Sequence, residues 1–160
     1  MMRISILISA ILLISCASPS STDWNSLKNK EKHFFSEAKQ KAIEKKDAEE
    51  LLNEYKAFLE KHPSFEENPE IMLRQADVYI GIDQWFMALE VFSEFEKRYP
   101  DHKKIVFAQF SKGLVCELAY QKSGYYKHKE YSIALYNEFL EKHPDHMLAQ
   151  SAKGSIQNME

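Results

Sequence analysis

Leu135-Tyr136-Asn137-Glu138-Phe139-Leu140-Glu141-Lys142-His143-Pro144 is the stretch that decides the fold, because close copies of it occur twice upstream. Tyr55-Lys56-Ala57-Phe58-Leu59-Glu60-Lys61-His62-Pro63 and Phe92-Ser93-Glu94-Phe95-Glu96-Lys97-Arg98-Tyr99-Pro100 keep its order: aromatic, aromatic three on, basic, His or Tyr, proline. Aligned on their prolines, Tyr55, Phe92 and Tyr136 form one column, and Phe58, Phe95 and Phe139 the next. Pro63, Pro100 and Pro144 are 37 and 44 residues apart, within the period of stacked helical hairpins. The chain reads as an array of repeats.

Working outward from those segments, apolar residues recur at helical spacing and almost nothing suggests a strand. A chain of 160 residues with 44% apolar and 28% charged residues can bury one ordinary core. Only 4 Gly and 5 Pro leave little material for hairpin turns. The formal charge of -3 is spread over both signs along the chain, without the basic stripe that tracks a phosphate backbone, so nucleic acid is not an expected partner.

Thr22 or Asp23 is placed to cap a helix from about Trp24 to Lys45. Asp47-Ala48-Glu49-Glu50 has the pattern of an N-cap with an acid three on, opening a helix that buries Leu51, Leu52, Tyr55, Phe58 and Leu59 and stops at Pro63. Asn68-Pro69-Glu70 predicts a capped start for the next helix, with Met72, Ala76, Tyr79 and Ile80 as its apolar stripe. Gly81 and Asp83 mark the turn into a helix bearing Trp85, Ala88, Leu89, Phe92 and Phe95. Asp101 is expected to open a third pair, in which Gly113 takes the small-residue place of Ala76 and Cys116 the place of Tyr79. The added length between the second and third prolines falls between Cys116 and Tyr131, where Ser123-Gly124 interrupts the pattern and the stretch 121–131 reads as an insertion. Asp145 then caps a short closing helix through Met147, Leu148, Ala152 and Ile156, as an open array end would expose apolar surface.

Ala76, Tyr79, Trp85, Ala88, Phe92, Phe95 and Pro100 fall on the small and aromatic positions of the tetratricopeptide repeat, a helix-turn-helix unit of 34 residues that this segment resembles. The two flanking copies match its second half, with Leu51 and Ser132 where alanine is usual, so the resemblance covers about residues 31–146. It implies an all-α protein, a short α-solenoid of about three hairpins with a C-terminal closing helix. It also implies a scaffold for protein partners rather than an enzyme. In such arrays the first helix of each hairpin lines a concave groove, which would place Leu73, Arg74, Asp77, Phe110 and Leu114 in it and Phe107 at its edge. In so short an array, Phe107, Phe110 and Leu114 could equally be covered by the closing helix.

The N-terminus reads as an address. Met1-Met2-Arg3 and the apolar run Ile4 to Ile14 have the form of a signal peptide, residues 1–15, too short to span a bilayer. Leu13-Ile14-Ser15-Cys16 resembles the lipobox of bacterial lipoproteins, in which the cysteine becomes the new N-terminus and carries palmitate-like acyl chains. Several such chains, at about 0.8 kcal/mol per buried methylene, hold a protein firmly to its membrane. Residues 16–23 then form the lipidated end and a flexible tether, and residues 24–160 the repeat domain. The absence of Asp after Cys16 points by the same resemblance to the outer membrane, facing the periplasm of a Gram-negative-type cell envelope. In layout the chain is similar to the repeat-bearing lipoprotein of the outer-membrane barrel-assembly machinery, which has more repeats.

No catalytic constellation stands out, and neither a cofactor nor a metal is expected. His62 and His143 occupy the repeated slot before proline, where a side chain interacts with the helix C-terminus, and Pro144 separates His143 from His146 as ligands of one helix face. Cys116 reads as a small core residue. The expected function is a membrane-anchored periplasmic scaffold that binds another envelope protein or peptide segment. The alternative is an accessory ligand-binding or enzymatic lipoprotein with a pocket near the third hairpin, containing Cys116 or His128.

Overall fold

The computed structural model describes residues 19–38 and 42–160. The signal peptide, Cys16, Ala17 and Ser18 lie outside the described residues; residues 21–23, expected to end the tether and cap the first helix, are its first turn instead. Seven helices account for the body, and none of the described residues is in a strand: α1 (Ser21–Ala38), α2 (Lys45–Lys61), α3 (Asn68–Gly81), α4 (Trp85–Arg98), α5 (Ile105–Ser123), α6 (Tyr126–Lys142) and α7 (Ala149–Met159). They pair as α1–α2, α3–α4 and α5–α6, each pair packing on the next, with α7 closing against α6 and α5. The protein is therefore an all-α helical-repeat solenoid.

The repeated aromatic columns build the core. Tyr55, Phe92 and Tyr136 are at most 1% exposed, and Phe58, Phe95 and Phe139 are buried beside them. Each hairpin thereby organises its own cluster: Tyr55 and Phe58 with Leu27, Phe34 and Leu52 in the first, Phe92 and Phe95 with Ala76 and Val115 in the second, Tyr136 and Phe139 with Phe110 and Ala152 in the third. The small-residue positions explain the closeness of the paired helices. A Cβ at Gly113 would stand 2.6 Å from Cδ1 of Tyr136, so only hydrogen fits there. Ser132, where alanine is usual, is fully buried at no polar cost because its Oγ donates to the Gly113 carbonyl at 2.8 Å.

The links repeat as faithfully as the helices. The N–H groups of His62, Tyr99 and His143 each donate to the second aromatic of their copy, Phe58, Phe95 and Phe139, at 2.9 Å. Phe65, His102 and His146 follow, each donating its N–H back to the residue before the proline. His102 and His146 stack edge-on against Phe95 and Phe139, while their Nδ1 atoms accept the N–H of Lys104 and Leu148 at 3.2 Å.

Several helix starts differ from expectation, and at α5 and α7 the reason is that the acceptors come from the links. α2 begins at Lys45 with Asp47 inside its first turn, and α5 and α7 begin four residues after Asp101 and Asp145, where the histidine rings take the accepting role. Asn68 does not cap α3; its Nδ2 donates back to the His62 carbonyl at 2.7 Å and ties α3 to the end of α2. Asp83 does not cap α4 either. It adopts a left-handed backbone, φ 61°, that an Asp tolerates in a tight turn, and its carboxylate pairs with Lys122 of α5. Among the described residues the first helix, expected to reach Lys45, runs to Ala38, and residues 42–44 are not helical. The insertion expected at 121–131 is almost entirely helical. α5 has 19 residues and α6 has 17, against 14 each in α3 and α4, so the extra length extends both helices and the third hairpin turns at Gly124, φ 67°.

Candidate functional site

The odd-numbered helices form one layer, in which side chains bridge α1 to α3 and α3 to α5, and α4 and α6 flank a concavity on the other. α1 and α3 are joined by Arg74, whose Nη1 donates to both carboxylate oxygens of Glu31 at 3.1 Å. Lys104, at the start of α5, reaches Glu70 of α3 at 2.5 Å, and α5 touches α7 directly. A groove of about 790 Å³ opens on this layer between α1 and α3, lined by Asn25, Lys28, Asn29, Glu31, Lys32, Phe35 and Arg74. Asn25, Lys28, Asn29 and Lys32 follow one another at i, i+3, i+4 and i+7, which puts them on one face of α1.

The electrostatics of the groove are uneven. Its one lining acid, Glu31, is buried and already engaged by Arg74. Lys28 leans over the Trp24 ring at 5.2 Å and Lys32 is exposed; neither has an ion-pair partner among the described residues. Tyr55 of α2 lies behind this pair, its phenol pushed well above the ordinary range by burial and by the negative charge of Glu31. Asp77, one turn beyond Arg74, is exposed, yet the surrounding walls desolvate its carboxyl enough to raise its pKa against the pull of Lys104 and Arg74. The α1 end of the groove is thus cationic and rich in amide donors.

The six residues expected in the groove divide. Arg74 and Asp77 are on the groove layer, and Phe107 is 47% exposed at the start of α5. Leu73 is not a groove residue. One position away from Arg74 it points about 100° round the helix, into the cluster of Phe92 and Phe95, and is 5% exposed. Phe110 is also core, with its ring 5.4 Å from Tyr136 and 5.5 Å from Phe139, and Leu114 packs half-buried in the same cluster under α7. The closing helix covers them. The polar stripe Asn25 to Lys32 was overlooked in the sequence, although its spacing is legible there.

A second concavity, of about 780 Å³, lies on the other layer, between α4 and α6. Trp85, Phe86, Leu89, Glu90, Ser93, Glu94 and Lys97 form its α4 wall, Lys127, His128 and Tyr131 its α6 wall, and Cys116 and Ala119 of α5 its floor. It adjoins the third hairpin as the pocket reading requires, but beside α4 rather than α7. Burial pushes the Cys116 thiol up to about 11, leaving it protonated at neutral pH. His128 Nδ1 is 3.1 Å from Ser123 Oγ, a contact that closes the hairpin turn. His143 is likewise occupied, with Nε2 2.6 Å from the Gln109 side-chain oxygen. Among the described residues no three His, Cys, Asp or Glu side chains gather as metal ligands, and no helix is long and apolar enough to cross a membrane.

An α-solenoid with an open, partly cationic groove is the class that this geometry defines. Residues 70–102, which take in α3 from Glu70 onward and the whole of α4, match the model of the tetratricopeptide repeat family. That segment contains all seven positions, Ala76 to Pro100, on which the resemblance rests. No curated protein matches the chain. Tetratricopeptide repeats generally mediate protein-protein interaction.

Proposed function

We propose that the chain is a lipid-anchored periplasmic scaffold that holds an acidic segment of another envelope protein in the groove between α1 and α3. The observation that carries this reading is the pairing state of the groove: Lys28 and Lys32 stand without ion-pair partners among the described residues, while Arg74 and Glu31 satisfy each other beneath them. Exposed cations flanked by the Asn25 and Asn29 amides suit carboxylates that arrive in an extended or helical peptide. Phe35, half-buried at the same groove, offers an apolar contact beside them. Asp77 and Phe107 extend the surface towards α5 and would favour a cation and an apolar side chain further along the same partner.

The test is a double charge reversal, Lys28→Glu with Lys32→Glu. Both residues are exposed, so the helical CD spectrum should be unchanged. Crosslinking in cells followed by mass spectrometry should recover a specific envelope protein with the wild-type chain and lose it, by about tenfold or more, with the variant. Retention of the same partner by the variant would remove the groove from consideration. The anchor rests on Leu13-Ile14-Ser15-Cys16. Metabolic labelling with an alkyne fatty acid should mark the wild-type chain and leave Cys16→Ser unmarked; an unlabelled wild-type chain would defeat the lipoprotein reading and, with it, the outer-membrane and barrel-assembly likeness.

A further inference from the structure

The cleft between α4 and α6 is unlike the rest of the outer layer. Of the large apolar side chains left exposed among the described residues, Phe86 at 72% and Tyr131 at 66% line it, and Tyr125 and Tyr126, at 53% and 60%, stand at the start of the same α6 wall. Such a concentration of aromatic surface beside an open concavity marks a contact site rather than a solvated face. The lengthened third hairpin is what makes it. α6 begins beyond a shorter α4, and the Lys122–Asp83 ion pair holds the end of α5 against the α3–α4 turn.

On the α4 wall Glu94 is paired with Lys97 and with Arg98, which leaves one unpaired charge on each wall. Glu90 on α4 is exposed and without an ion-pair partner among the described residues, and so is Lys127 on α6. They face the same cleft but do not pair across it. A two-fold axis running along the cleft would set the α4 wall of one copy over the α6 wall of another, since in such a contact residue i meets j and j meets i. Each Glu90 would then face a Lys127, twice over, with Phe86 and Tyr131 of each copy entering the other's cleft. We propose that this chain self-associates through the α4–α6 cleft, as a two-fold dimer whose aromatic rims interlock and whose Glu90 and Lys127 pair between copies. The surface is on the layer opposite the α1–α3 groove, so a dimer leaves both grooves open.

The test uses the full chain expressed with its own N-terminus, with a photo-crosslinking phenylalanine analogue at position 86. Illumination should give a product of twice the chain mass that contains this chain alone. Two differently tagged copies supply the charge test. Glu90→Lys in both copies, or Lys127→Glu in both, should lower co-purification about tenfold, because every inter-copy pair becomes repulsive. A Glu90→Lys copy expressed with a Lys127→Glu copy should recover it, since opposite charges then meet at both contacts. Adducts with a different protein, no crosslinked dimer, or no recovery in the mixed pair would overturn the proposal. Lys28→Glu with Lys32→Glu should leave the dimer intact, which separates this outcome from failure of the groove.

Discussion

At the scale of single residues, the four glycines carry very different loads. Gly113 lets α6 press close on α5: its missing side chain leaves space that the Tyr136 ring fills, and the Tyr136 hydroxyl donates to Glu117 at 2.8 Å, fixing the ring in place. Gly154, within α7, has nothing within 4 Å of where a Cβ would be. Alanine should therefore act with opposite sign at the two positions. Gly154→Ala gains helix propensity, about 0.5–1 kcal/mol, whereas at Gly113 that gain is outweighed by overpacking of about 1–3 kcal/mol. Urea unfolding followed by CD should show Gly154→Ala with a raised midpoint and Gly113→Ala with a lowered one; a raised midpoint at Gly113 would mean that the hairpin can open without cost. Gly113 was legible as a small-residue position because it aligns with Ala76. That Tyr136 is the neighbour it makes room for was not, since alignment gives positions in a unit and not the ring that reaches them.

At the scale of elements, what could be read from the sequence was the set of features that repeat. The columns Tyr55, Phe92, Tyr136 and Phe58, Phe95, Phe139 identify the inner faces of α2, α4 and α6 because three copies agree on one helical phase. α5 offers no such agreement. Val106, Phe107, Phe110, Leu114 and Val115 surround it, so periodicity alone does not say which apolar residue faces the groove, and Phe110 and Leu114 prove to be held by α6 and α7. Helix starts were misread where a familiar capping residue stood near the boundary. Asp101 and Asp145 have the right chemistry at the wrong distance, and the acceptor is instead an imidazole two residues past the proline, a role invisible until the link is folded. The longer spacing before Pro144 reads as an insertion because Ser123-Gly124 interrupts the repeat pattern. Gly124 does make the turn, but the added residues on either side continue α5 and α6 as helix. That difference produces the aromatic cleft, which neither helix alone would suggest.

At the scale of the molecule, a solenoid is held together by contacts between neighbours, so its stability need not be uniform along the array. The interface between α5 and α6 is the most extensive and those of α2 with α1 and α3 are much smaller. α1 adds only Leu27 and Phe34 fully to the apolar core. Much of its remaining attachment is ionic: Lys61 to Asp23 at 2.7 Å, Lys30 to Glu54, and Arg74 to Glu31. The first two pairs are exposed and weaken with salt, whereas Arg74–Glu31 is sheltered by the burial of Glu31. Hydrogen exchange read by mass spectrometry should then follow the array. Amides of α1 should exchange at least about tenfold faster than those around Phe110 to Ala119 in α5, and raising the salt to about 1 M, where the Debye length falls to about 3 Å, should speed α1 selectively. Equal rates in α1 and α5 at both salt concentrations would mean that the three hairpins open as one unit. A graded array has a consequence for the groove, because its cationic wall is α1 itself: an acidic partner would close on the least stable element of the solenoid, and binding it should slow exchange in α1 more than anywhere else.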